Sequence, residues 1–197
     1  MKLPPIKFPG SPMNLDYFLP FEYKMYSKVL SMLSDNKRVA IDIGSCEGLW
    51  SINLSDKFKT VYAFEPMPEV YDMTLRWLPE NVKPYNVALS NREETIEMIF
   101  FDHNVGMTLK KGNAFIEDHM KDLPRKSFKV NAKTLDSYRL SNVDFIKIDA
   151  EGEEQNIIYG AKETLDRCSP IIFIDSNEDI RIDGYTQIEK YFFEKKS

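Results

Sequence analysis

Short apolar runs separated by helix-patterned stretches constrain this chain more than any other feature of it. Arg38–Ile43, Thr60–Phe64, Val82–Leu89, Val143–Ile148 and Pro170–Ile174 each read as a strand of five to eight residues. Between them, Glu47–Asp56, a stretch from Pro66 and Pro68 through Leu78, and Glu153–Cys168 carry helical patterns. Proline suits the first turn of the second of these. In the third, Ile157, Ile158, Ala161, Leu165 and Cys168 form one apolar stripe. Continuous apolar strands alternating with helices indicate βαβ units and a parallel sheet buried on both faces.

The middle of the chain follows another rule. Thr95–Phe101 and Ser127–Lys133 alternate with period two, Phe128, Val130 and Ala132 opposing Lys129, Asn131 and Lys133. That is the pattern of half-buried antiparallel strands. The polar segment between them, Asp102–Lys126, holds both histidines, His103 and His119, and reads as an insertion over one end of the sheet. The tail, Gly184–Phe193, has the composition of an antiparallel edge strand. At the other end, the first twenty residues are rich in proline and aromatics and suit an irregular arm. After them Phe21, Met25, Val29 and Leu33 recur every four positions, as on one face of a helix.

The 197 residues suit one domain. Its expected parts are an N-terminal arm and helix (1–37), a ligand-binding half (38–90), an insertion (91–142) and a C-terminal half (143–197). The fold class expected is α/β: a Rossmann-like, mainly parallel sheet with helices on both faces, plus an antiparallel hairpin insertion.

Charge narrows the partners. A net charge of −5 argues against broad nucleic-acid or anionic-membrane binding, which needs an electropositive surface. The basic residues Lys121, Arg125, Lys126, Lys129 and Lys133 read as a solvated face. No apolar stretch reaches the roughly 20 residues that cross a bilayer, and Met1–Gly10 lacks the apolar core of a signal peptide. Cys46 and Cys168 are too few and too distant for a zinc knuckle or a disulfide framework, and read as reduced thiols. A cytoplasmic location is the expectation.

The most informative stretch is Val39-Ala-Ile-Asp-Ile-Gly-Ser-Cys-Glu-Gly48, a buried strand, a loop bearing Gly44 and Gly48, then a helix. Open α/β sheets bind ligands at the carboxyl ends of their strands, where glycine allows a ligand close to the backbone. Glu65 ends the next strand, twenty-one residues past Gly44, where a carboxylate can accept both ribose hydroxyls of an adenosine. A dinucleotide site wants G-x-G-x-x-G, with a helix start open to pyrophosphate. Here the spacing is G-x-x-x-G and Glu47 stands in the loop, adding negative charge where a pyrophosphate would sit. A sulfonium nucleoside has no phosphates and is cationic, so S-adenosylmethionine is favoured over NAD.

The chain resembles the FkbM-type methyltransferases from about Val39 to Asp175. The resemblance is carried by Asp42-Ile-Gly-Ser-Cys-Glu-Gly48, Ala63-Phe-Glu-Pro66, Asn86-Val-Ala-Leu-Ser90 and Lys147-Ile-Asp-Ala-Glu-Gly-Glu-Glu154. Ser45-Cys46-Glu47 departs from the more usual Ala-Asn-Ile type of loop but keeps both glycines. The resemblance implies S-adenosylmethionine binding and O-methylation of sugars, glycans or natural products. It also implies that Asp42, Gly44 and Gly48 hold the methionine part and Glu65 the ribose, with Ser45 a further cofactor-binding residue. Pro66 and Met67 would lie near the adenine, with Asn86, Val87 and Ala88 on its other side.

Methyl transfer to a hydroxyl needs an in-line oxygen and a place for its proton. Asp149, ending the strand of the family block, is expected beside the methyl as base or as a ligand of the methionine amino group, with Glu151 following within a turn. His103 and His119 are further base candidates, since histidine titrates near neutrality. Asp149 and Asp175 end neighbouring strands and are candidate ligands for Mg²⁺. The acceptor expected is a small molecule or carbohydrate, with a homodimer hinted by Tyr17 and Phe18. The alternatives are an NAD-dependent oxidoreductase and a cofactor-binding module without turnover.

Overall fold

A computed structural model describes residues 15–33, 35, 37–101, 108–110 and 125–196. The first half runs α1 (Leu15–Met32), β1 (Val39–Ile43), α2 (Leu49–Ser55), β2 (Thr60–Phe64), α3 (Pro68–Thr74), β3 (Val82–Tyr85), β4 (Ala88–Leu89), β5 (Glu94–Phe101) and β6 (Thr108–Lys110). The second half runs β7 (Arg125–Lys133), a 3-10 turn (Leu135–Tyr138), β8 (Val143–Ile148), α4 (Glu154–Tyr159), α5 (Lys162–Cys168), β9 (Ile171–Ile174), β10 (Tyr185–Glu189) and β11 (Phe192–Lys195).

The main sheet has the order β10-β11-β9-β8-β1-β2-β3. The five strands from β9 to β3 are parallel, and β11 and β10 close the edge antiparallel. The chain steps outward from β1 to β2 and β3, then returns to β8 on the other side. The strand order therefore reverses between β1 and β8, where α/β folds open a crevice. The tail expected as one edge strand is a hairpin, β10 and β11 turning between Glu189 and Phe192.

Both faces are covered, as the continuous apolar strands demand. On one face Ala40, Val61, Phe145 and Phe173 pack under α1 and α2, against Met25, Tyr26, Val29, Trp50 and Leu54. On the other, Ile41, Ile43, Ile146 and Ile148 pack under α4 and α5, against Ile157, Ile158, Ala161 and Leu165. Cys168, expected in that stripe, is only partly buried beside it.

Two expected elements are broken. Val82–Leu89 does not run as one strand. The chain leaves the main sheet at Asn86, whose side-chain amide donates to the Glu65 and Pro66 carbonyls at 2.9 and 3.1 Å. Then β4 joins a second sheet of order β4-β7-β5-β6. Glu153–Cys168 divides at Gly160-Ala161 into α4 and α5. A Cβ on Gly160 would lie 2.1 Å from the Ser90 carbonyl oxygen, so the side-chain-free residue lets the helical segment approach the end of β4.

The second sheet contains the expected hairpin, with β5 and β7 antiparallel from Glu94↔Ala132 to Phe101↔Arg125. Ile96, Met98, Val130 and Ala132 turn inward with Ala88, while Lys129, Asn131 and Lys133 face solvent. Of the polar stretch 102–126, the described parts are β6, added antiparallel to β5, and the first residues of β7. His103, His119 and Lys121 lie outside the described residues. None of the described helices is long and apolar enough to cross a membrane.

Candidate functional site

The alternation of β1 and β8 decides what their charged residues can do. Asp42 shares a face with Ala40, and Lys147 shares a face with Phe145, because side chains two apart point the same way. The two are directly paired in register. Both therefore point under α2. Asp42 is fully buried; Oδ2 accepts the Ser51 hydroxyl at 2.6 Å and Oδ1 faces the Lys147 ammonium at 3.4 Å. Lys147 also donates to the Gly44 carbonyl at 2.7 Å and pairs with Asp149 at 3.5 Å. Burial opposes its charge, but Asp149 and Asp42 outweigh it and hold the ammonium well above its ordinary range. Lys147 stays charged and is no base at neutral pH.

Beyond the ends of β1, β2 and β8 lies a cavity of about 220 Å³. Part of its lining is apolar, with Phe64, Val70, Val87, Leu89, Ile96 and Met98, so the second sheet supplies part of its wall. The lining also carries the charged side chains of Glu22, Glu47, Lys147, Asp149, Glu151 and Glu153. Pockets that are mostly apolar with a few placed polar groups are the usual form of small-molecule sites.

Glu65 lines the same cavity. Its carboxylate accepts the Cys46 amide at Oε2 (2.9 Å) and the Met67 amide at Oε1 (2.8 Å). Those two bonds fix it while leaving acceptor capacity, since a carboxylate offers about four lone-pair positions. The side chain is 7% exposed. Burial raises its carboxyl to about 7 against the pull of the two amides and Lys147. Tethers place the loop around it: the Gly44 and Ser45 amides both donate to the Phe64 carbonyl at 3.0 Å.

The loop after β8 is shaped by Glu154. Its buried carboxylate accepts the Ala150 and Gly152 amides at 3.0–3.1 Å, while Glu151 takes a left-handed φ of 52°. Glu151 is consequently turned out at the cavity, exposed. Partial burial, then the charges of Asp149, Glu154 and Asp175, raise its carboxyl to about 7; solvent contact moderates that rise.

Of the residues singled out in the sequence, Gly44, Ser45, Glu65, Pro66, Val87, Ala88, Asp149 and Glu151 line the cavity together. Asp42, Gly48, Met67 and Asn86 do not line it. Asp42 is sealed behind Lys147, the Met67 amide and the Asn86 side-chain amide brace Glu65, and Gly48 sits at the N-cap of α2 against Leu78. Gly44 has a reason other than ligand approach. With φ of +70°, its Cβ would lie 1.8 Å from the Asp149 carbonyl oxygen. Asp149 and Asp175 do end neighbouring strands, but Mg²⁺ is not supported. Among the described residues no three His, Cys, Asp or Glu side chains gather as metal ligands, and the cation beside Asp149 is Lys147.

Three contributors escaped the sequence reading: Lys147, Trp50 and Glu22. A lysine in the mostly apolar strand Val143–Ile148, and an aspartate at the matching place in Val39–Ile43, were a readable sign of a buried pair. Nothing local in α1 marks Glu22.

Comparison with known proteins places this geometry. The Methyltransferase FkbM domain matches residues 42–196. A crystal structure of the FkbM methyltransferase from Methylobacillus flagellatus KT superposes with a TM-score of 0.51 at 16% identity, covering 81% of this chain and 41% of that one. The chain thus spans about two fifths of that relative's length. The putative methyltransferase yhhF from Escherichia coli gives a TM-score of 0.54 at 8% identity, covering 97% of this chain and 91% of that one. No curated protein matches the sequence. With the family domain spanning most of its length and a methyltransferase fold beneath it, the chain belongs to the FkbM methyltransferase family.

Proposed function

We propose that this chain is an S-adenosylmethionine-dependent O-methyltransferase acting on a hydroxyl of a small acceptor: a sugar, a glycan or a natural product. The observation that carries the reading is Glu65, buried in the cavity wall with its carboxylate pinned by the Cys46 and Met67 amides. A carboxylate so fixed suits a ribose diol, and the apolar part of the lining suits an adenine. The donor set fits a sulfonium nucleoside on charge as well. Glu22, Glu47, Glu65, Asp149, Glu151 and Glu153 line the cavity, and among the described lining residues Lys147 is the one cation. Such a lining repels phosphates and favours a cationic ligand.

The bound cofactor would supply an electrophilic methyl group. The protein's part is to bind and orient it and to manage the acceptor's proton. Glu65 would hold the ribose, and Phe64, Val87, Ile96 and Met98 would exclude water from the adenine. Glu151, lining the cavity and raised to about 7, is suited to accept a hydroxyl proton near neutral pH. Asp149, tied to Lys147, would set the orientation of the acceptor. His103 remains a further base in this proposal.

The test is a panel of sugars, glycosides and hydroxylated natural products incubated with methyl-labelled cofactor. An alkali-stable methyl ether on one class of acceptor is the expected product. An alkali-labile methyl ester, or label on nitrogen, contradicts O-methylation of a hydroxyl.

A further inference from the structure

Glu22 lies outside the stretch matched by the family domain, yet it reaches the cavity. Met25, Tyr26 and Val29 follow it at helical spacings and are buried, so α1 docks on the face that carries Glu22. Tyr26 donates its hydroxyl to the Asn53 carbonyl at 2.6 Å, and its ring meets Trp50 edge-on at 6.0 Å. Trp50, 5% exposed, stacks on Phe145 and Phe173 at 6.2 and 5.1 Å. Its indole N–H donates to the Glu22 carboxylate.

That carboxylate is therefore held by a tryptophan which the core itself immobilises. Among the described residues, the indole is its one hydrogen-bond donor, so acceptor capacity remains toward the cavity it lines. Two nearby carboxylates are tied to Lys147 instead. Asp42 is sealed between Ser51 and Lys147, and Asp149 is paired with Lys147. Burial pushes the Glu22 carboxyl above its ordinary range, against Lys147 and the indole.

We propose that Glu22, and not Asp42, receives the α-ammonium group of the amino-acid end of the cofactor. The inference rests on the cofactor reading above. Asp42 then acts indirectly, by holding Lys147, and the N-terminal helix becomes part of the binding site.

Calorimetric titration with two ligands separates the ideas. S-Adenosylhomocysteine carries the amino-acid tail; 5′-methylthioadenosine keeps the thioether nucleoside and lacks the tail. In Glu22→Gln, whose amide oxygen can still accept from Trp50, affinity for the first should fall about tenfold or more, with the second changed less than about twofold. Glu22→Asp, which keeps the charge on a shorter stem, should lie between wild type and Glu22→Gln. Unchanged affinity for S-adenosylhomocysteine in Glu22→Gln overturns the proposal, as does an equal loss for both ligands. Failure of the wild-type protein to bind either ligand overturns the cofactor reading and this inference with it.

Discussion

A lysine and an aspartate face each other across β8 and β1, where almost every neighbour is apolar. Breaking a buried pair by removing one partner strands a charge and costs roughly 3–5 kcal/mol. Lys147→Met should therefore lower stability by about that much in denaturant titration. Adding Asp42→Asn should restore part of the loss, because the amide leaves no charge behind. A double variant as unstable as the sum of the two singles would contradict the pairing. Gly44→Ala combines a left-handed φ with a Cβ driven into the Asp149 carbonyl, and should be severely destabilised or fail to accumulate folded.

At this scale the sequence was legible where one residue answers to one ligand feature. Glu65 stands where a carboxylate ending β2 was expected. That Asp42 lies behind Lys147 was not legible, because position in a motif does not reveal which face of the strand a side chain occupies. Register with Lys147 decides that.

Helices and strands were legible wherever periodicity was strong. The parallel strands and the β5–β7 hairpin follow directly from apolar runs and from alternation. The breaks were hidden, because each depends on a contact distant in sequence. Asn86 turns the chain by bonding back to the Glu65 and Pro66 carbonyls. Gly160 divides α4 from α5 because the Ser90 carbonyl, on another element, occupies the space a side chain would need. Gly160→Ala, favourable in an isolated helix by up to about 1 kcal/mol, should here lower the melting temperature by several degrees. A rise in melting temperature would contradict the close approach between α4 and β4.

For the whole molecule, the collected carboxylates set a pH dependence. Glu65 and Glu151 are raised to about 7, and Glu22, Glu154 and Asp175 are raised as well, burial being the largest cause for each. A carboxyl raised in the folded state stabilises it fully below the unfolded value and loses that contribution as pH rises through the folded value. The ligand-free protein should therefore melt at lower temperature at pH 8 than at pH 5. Glu65 alone accounts for on the order of 3 kcal/mol across that range. Asp42 and Lys147 are the charged groups acting on Glu65, and Lys147 remains protonated throughout the window. Glu65→Gln should flatten the slope; an unchanged slope in that variant would mean that Glu65 is not the titrating group.

The fold thus gathers acidic groups around the cavity at the cost of ligand-free stability. Calorimetric titration of S-adenosylmethionine into wild type and Glu65→Gln tests this most directly. Wild type should bind, and the variant should bind about tenfold or more weakly. Equal affinities, or no binding by wild type, would contradict the assignment of this cavity to a sulfonium nucleoside.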